Sequence, residues 1–176
     1  HRQLQGAAIL FPHGDFNGRA LGIDLSDEGS GKTTLTLDIL NYSESEGLSG
    51  MYDCRACLSA NDQNTLAVIN DKLRAAGLEP FGGPMFEAHS VPADSPLVQT
   101  LLGIWKDMTG KDAEPLCIGG GTYVHHIDNG VAFGPEMPGL ENYIHAADEF
   151  ISLDQLIFTC KAYARAIVEL CGNGNM

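Results

Sequence analysis

Thr34-Leu35-Thr36-Leu37-Asp38-Ile39 decides how the first half of the chain is read. Leu35, Leu37 and Ile39 alternate with Thr34, Thr36 and Asp38, and a period of two gathers the apolar side chains on one face of a half-buried strand. Upstream, residues 21–25 alternate more weakly, and Asp27-Glu28-Gly29-Ser30-Gly31-Lys32 supplies a turn. The two runs therefore predict an antiparallel hairpin. Downstream, residues 43–47 form a polar loop and residues 48–58 a further strand. Asn61 or Asp62 caps a helix that runs to Gly77, with Leu66, Ile69 and Leu73 on one face. A short strand is expected at residues 85–89. Strands followed by a helix on one face of an antiparallel sheet make an α+β layer.

The pattern breaks at Val91-Pro92-Ala93-Asp94, which reads as a linker. Ser95 then caps a helix with Pro96 in its first turn and Leu97, Leu101, Ile104, Trp105 and Met108 as its apolar stripe. Short strands are expected at residues 116–118 and 131–133, on either side of the loop Gly119-Gly120-Gly121. Backbone this bare can approach a ligand closely. Ser152 begins a last helix whose apolar stripe is Leu153, Leu156, Ile157, Cys160, Tyr163, Ile167 and Val168.

With 176 residues and 44% hydrophobic residues, the chain can build a real core. Its net charge of −13 argues against nucleic acid, which needs clustered cations to displace counterions, and against anionic membrane surfaces. No apolar run approaches the roughly 20 residues that span a bilayer. Nothing near the first residue reads as a signal peptide, and that residue is His rather than Met, as in a fragment or a processed product. Five cysteines, an odd number set mostly in apolar patterns, read as reduced thiols in a cytoplasmic protein.

Three motifs invite chemistry that the surrounding residues do not support. Gly29-Ser30-Gly31-Lys32-Thr33-Thr34 resembles a phosphate loop, but Ser26 stands where the first glycine belongs and a strand pattern follows instead of a helix. Cys54-Arg55-Ala56-Cys57 has redox-pair spacing, yet it does not open a helix and has no second pair with which to bind zinc. His13-Gly14-Asp15 and His126-Ile127-Asp128 have ligand spacing, but both sit among turn residues and read as solvated loops. His89 has no evident chemistry and reads as structural.

Three segments of the second half act in combination. They are Cys117-Ile118-Gly119-Gly120-Gly121-Thr122-Tyr123, Gly130-Val131-Ala132-Phe133-Gly134-Pro135 and Tyr143-Ile144-His145-Ala146-Ala147-Asp148-Glu149-Phe150. Together they resemble the co-catalytic zinc peptidases, specifically the dipeptidase V (Xaa-His dipeptidase, carnosinase-like) group. The stretches Asp15-Phe16-Asn17-Gly18-Arg19-Ala20-Leu21-Gly22 and Val91–Leu102 resemble the same group, so the likeness covers nearly the whole chain.

The resemblance implies a mixed α+β and α/β fold. Residues 1–90 would be the later part of a lid domain of antiparallel sheet with helices. Residues 91–176 would be the C-terminal part of the catalytic domain. It implies that His145 is a zinc ligand, with Asp148 and Glu149 as supporting groups or at the helix terminus. It also implies that Arg55 binds the carboxylate at the end of a dipeptide or short peptide, assisted by Gly119, Gly120, Gly121 and Thr122. A guanidinium suits that task because it offers a carboxylate two parallel hydrogen bonds at any working pH.

The same family uses two zinc ions and a Glu-Glu pair whose first member is the general base. No Glu-Glu pair occurs in this chain, and the remaining ligands would lie upstream of it. The expectation is a zinc-dependent dipeptidase segment that is inactive alone and needs the missing N-terminal part of the catalytic domain. The alternative is a non-catalytic lid, dimerisation or binding module, with a homodimer as its assembly.

Overall fold

In the computed structural model, β3 (Thr34–Ser43) and β4 (Gly47–Arg55) form an antiparallel hairpin that pairs Leu35 with Cys54 and Leu37 with Tyr52. The structure describes residues 2–86, 88–134, 136–137, 139–141 and 143–172. Glu87, within the strand expected at 85–89, and Pro135, which ends one of the family-like segments, lie outside those residues.

The strand expected at 34–39 is present, but its partner is not residues 21–25. The turn at 27–32 closes only a two-residue ladder, β1 (Ser26–Asp27) with β2 (Gly31–Lys32), extended by Thr33 N–H donating to Leu25 O at 2.9 Å. The alternation at 21–25 has another cause. Leu21 and Ile23 are fully buried, yet their backbone is tied into a loop: the N–H of Gly22 donates to Arg19 O and that of Ile23 to Gly18 O. Alternate burial without ladder bonds reads as a strand in sequence.

A bulge between Leu37 and Ile39 leaves Asp38 without a cross-strand partner. Such an insertion flips the alternation. Leu35 accordingly faces the core, whereas Ile39 and Leu40 are exposed.

Asn61 begins the next element as read. Its side chain accepts the N–H groups of Gln63 and Asn64, while the Asn64 side-chain Oδ1 accepts Asn61 N–H at 2.7 Å, a complete capping box. A wide turn at Asp62–Leu66 runs into α2 (Ala67–Ala75). Gly77 takes φ +79°, and Leu78 N–H donates back to Leu73 O, which satisfies the last carbonyls. Helix α1 (Arg2–Leu10), which sequence periodicity did not indicate, packs on α2. Leu10, Leu21, Ile23, Leu35, Ile69 and Leu73 form the core of this first unit, which comprises His1–His89 and Cys117–Gly121.

The second unit comprises Ser90–Leu116 and Thr122–Met176. Ser95 Oγ accepts Val98 N–H, Pro96 opens α3 (Pro96–Thr109) and Gly110 closes it at φ +70°. Ser152 Oγ accepts Gln155 N–H to start α4 (Leu153–Cys171). The two helices pack through Leu101, Ile104 and Ala166, with Trp105 and Phe158 edge to face at 6.0 Å. Among the described residues, 85–89, 116–118 and 131–133 are irregular rather than strands. Val131 and Phe133 instead lie half-buried against the α3–α4 core.

The face of α4 is the main surprise. Gln155, Thr159, Ala162 and Ala166 are its buried residues, and the stripe read as core is exposed. Two alanines in the contact let backbones approach closely, which explains how so small a stripe serves as the packed one. Among the described residues no helix is long and apolar enough to cross a membrane.

Candidate functional site

Arg55 ends β4 and belongs, with Gly119–Gly121, to the first unit. Its Nε–H donates to Asp53 Oδ1 at 3.0 Å and its Nη1–H to Gly119 O at 3.2 Å. Two anchors fix the plane of the guanidinium, while the side chain stays half exposed. A second N–H on Nη1 and the Nη2 group have no protein partner among the described residues. These donors form the end-on fork that a carboxylate accepts.

The glycines pack closely beside this arginine. A Cβ on Gly119 would stand 3.2 Å from Arg55 Cδ, and one on Gly120 would stand 3.7 Å from Nη1. The bare loop thus lets a backbone carbonyl reach the guanidinium, whereas Gly121 has open space around it. The structure therefore brings three sequence-predicted residues together: Arg55, Gly119 and Gly120.

Thr122 stands at the head of a 3-10 turn, Tyr123–His126, without capping it. Its hydroxyl oxygen is buried and has no hydrogen-bond partner among the described residues. An orphaned buried hydroxyl costs about 1–3 kcal/mol, so it calls for an explanation such as an unbound ligand.

His145 lies in the second unit, on an exposed turn just before α4. Tyr143, His145 and Asp148 all take left-handed backbone, at φ +52°, +61° and +61°. Each such non-glycine residue costs about 1 kcal/mol or more, so neighbouring contacts must hold the turn. Ala146 N–H donates to Tyr143 O at 2.8 Å, and the Tyr143 and Phe150 rings meet edge-on at 5.7 Å. Strain of this kind concentrates where a side chain has to be presented. Asp148 and Glu149 precede the capped helix start, where Ser152 and Asp154 occupy the terminal positions expected of them.

A catalytic zinc ion takes three protein ligands and a water. Among the described residues, no three His, Cys, Asp or Glu side chains are grouped to hold a metal ion. His145 offers a suitable imidazole donor, but among the described residues it belongs to no group of three such side chains.

Asp15, Asp27 and the Cys54–Cys57 pair are built into the local structure of the first unit. Asp15 accepts the N–H groups of Asn17, Arg19 and Ala20, which holds its carboxyl below the ordinary range, Ala20 first among them. Asp27 accepts the Ser30 hydroxyl and N–H and the Ser59 N–H, which press its carboxyl lower still. The phosphate-loop-like segment is thus the closure of the β1–β2 turn. Cys57 is buried against Thr33, and burial, with the charge of Asp53, pushes the Cys54 thiol up to about 11. All five cysteines are free thiols. Sequence reasoning missed the structural use of Asp15, although an Asp two residues before Asn17-Gly18 signals such a loop.

No protein-family model matches the chain. It is 39% identical over 158 residues to YtjP of Bacillus subtilis (strain 168), a dipeptidase by provisional name, covering 89% of this chain and 33% of that protein. It is 34% identical to a Beta-Ala-Xaa dipeptidase of Lactobacillus delbrueckii subsp. lactis, covering 90% of this chain and 33% of the relative. The chain thus spans about a third of the length of the curated relatives it matches. An M20 family metallo-carboxypeptidase from Sulfolobus solfataricus shares the fold at a TM-score of 0.57 and 14% identity, covering 95% of this chain and 41% of the other. The dipeptidase likeness read from the motifs and the α+β fold both agree with these matches.

Proposed function

We propose, from the premise that this chain is similar to a third of a dipeptidase, that it supplies the substrate-end recognition of a metal-dependent dipeptidase. The observation that carries this reading is the outward fork of Arg55, set by Asp53 and Gly119 beside a loop without side chains. In this reading Arg55 takes the terminal carboxylate of a dipeptide. The backbone N–H groups of Gly119–Gly121 add donors to it. The Thr122 hydroxyl acts as a further donor to substrate. A fixed cation that takes the terminal carboxylate rejects substrates whose C-terminus is blocked or extended.

His145 is assigned as one ligand of a zinc centre of two ions, completed by residues outside this chain. Residues 1–90 correspond to the later part of a lid domain and residues 91–176 to the C-terminal part of a catalytic domain. Hydrolysis, including the general base, depends on groups this chain lacks, so the isolated chain is inactive. The free thiols suit a reducing, cytoplasmic setting.

The test is a chimaera in which this chain replaces the matched third of the Bacillus relative. It should cleave dipeptides and lose that activity on His145→Ala, while the isolated chain cleaves none. Cleavage by the isolated chain, or an active His145→Ala chimaera, contradicts the reading.

A further inference from the structure

Helix α4 presents opposite faces of opposite character. At 100° per residue, Gln155, Thr159, Ala162 and Ala166 share the buried side. Leu153, Ile157, Cys160 and Val168 lie across from it, with Leu156 and Ile167 at the margin of that side, and all six are exposed, Leu153 at 76%, Ile167 at 63% and Val168 at 68%. The charged residues Asp154, Lys161, Arg165 and Glu169 fall on one flank and leave this stripe uninterrupted. A solvated helix face is normally polar, and a continuous exposed apolar stripe marks a contact surface.

We infer that this stripe is the seam onto which the rest of a dipeptidase polypeptide packs, namely the portion that this chain does not include. The inference rests on the functional reading only in taking the chain as a segment of such an enzyme. Two observations select this occupant. The relatives have about two thirds of their length beyond the matched region, enough polypeptide to cover a five-turn helix. A second copy fits poorly, because self-association would bring together two bodies of net charge −13. The strained turn carrying His145 leads directly into α4, so seating the helix would also fix where that imidazole is presented.

The test is co-expression of this chain with the part of the Bacillus relative that it does not match, with the complex measured by sedimentation and calorimetry. The expected result is a one-to-one complex. Ile157→Glu and Ile167→Glu, made separately, should each weaken it at least tenfold. Ile39→Glu, on the exposed part of the hairpin, should leave it unchanged, and all three variants should keep the wild-type circular dichroism. No complex, equal binding by the α4 variants, or a homodimer through α4 that the added segment does not displace would overturn the inference. A complex that forms through α4 but cleaves no dipeptide contradicts the functional reading and leaves the seam intact. Cleavage by a complex indifferent to both α4 variants does the reverse.

Discussion

Arg55 and Gly119 meet across 64 residues of chain, the guanidinium donating to a backbone carbonyl at 3.2 Å. A Cβ on Gly119 would crowd Arg55 Cδ at 3.2 Å. Gly119→Val should therefore displace the arginine rather than unfold the unit, because the nearest obstacle is a flexible side chain. The expected outcome is an unchanged melting temperature to within a few degrees, with loss of dipeptide turnover in the chimaera. Gly121→Ala, which meets nothing within 4 Å, should be far milder. Equal effects of the two would disprove the role given to close approach.

Acid should loosen the first unit through two particular carboxylates. Asp15 and Asp27 are both held below the ordinary carboxylate range when folded. The unfolded chain therefore takes up their protons first, so their stabilisation is complete at neutral pH and is lost as the pH falls below about 4. Urea midpoints at pH 7 and pH 3 check this. The wild type should lose more stability over that interval than a chain carrying Asp15→Asn and Asp27→Asn. Parallel losses would count against it.

Thiol reactivity should divide the cysteines. With its pKa pushed up to about 11 by burial, Cys54 stays protonated at pH 7.5. Cys57 is shielded by burial. Iodoacetamide should label the exposed Cys117, Cys160 and Cys171 well before either of them, as peptide mapping over time would show. Early labelling of Cys54 would contradict this assignment and revive a redox role for the pair.

The second unit should depend on Ile104, which is fully buried between α3 and α4. Ile104→Ala should cost about 3 kcal/mol through lost contacts and a cavity, read from denaturant midpoints at constant slope. A cost below about 1 kcal/mol would mean that this core is already loose.

Legibility from sequence varied with the kind of signal. Local chemistry read well: Asn61, Ser95, Pro96, Ser152 and Gly77 mark helix ends through backbone bonds that need only neighbouring residues. Pairing read less well. The alternation of Leu21 and Ile23 reflects burial of a loop pinned by Asp15, and periodicity does not distinguish that from a ladder. Orientation of α4 was illegible because its apolar stripe is the larger signal, yet the alanine stripe is the one α3 covers. The clamp was half legible: Arg55 and the glycines came from resemblance. The Asp53 and Gly119 bonds that aim the guanidinium depend on tertiary contacts that sequence spacing does not specify.

The most direct test of the central claim compares a dipeptide with its C-terminal amide in the chimaera, with and without Arg55→Ala. If Arg55 holds the terminal carboxylate, kcat/KM for the dipeptide should fall about 100-fold, the loss expected for a bidentate charge-assisted pair. The amide, slow from the outset, should be unaffected. Equal losses on both substrates, or none on either, would contradict the claim.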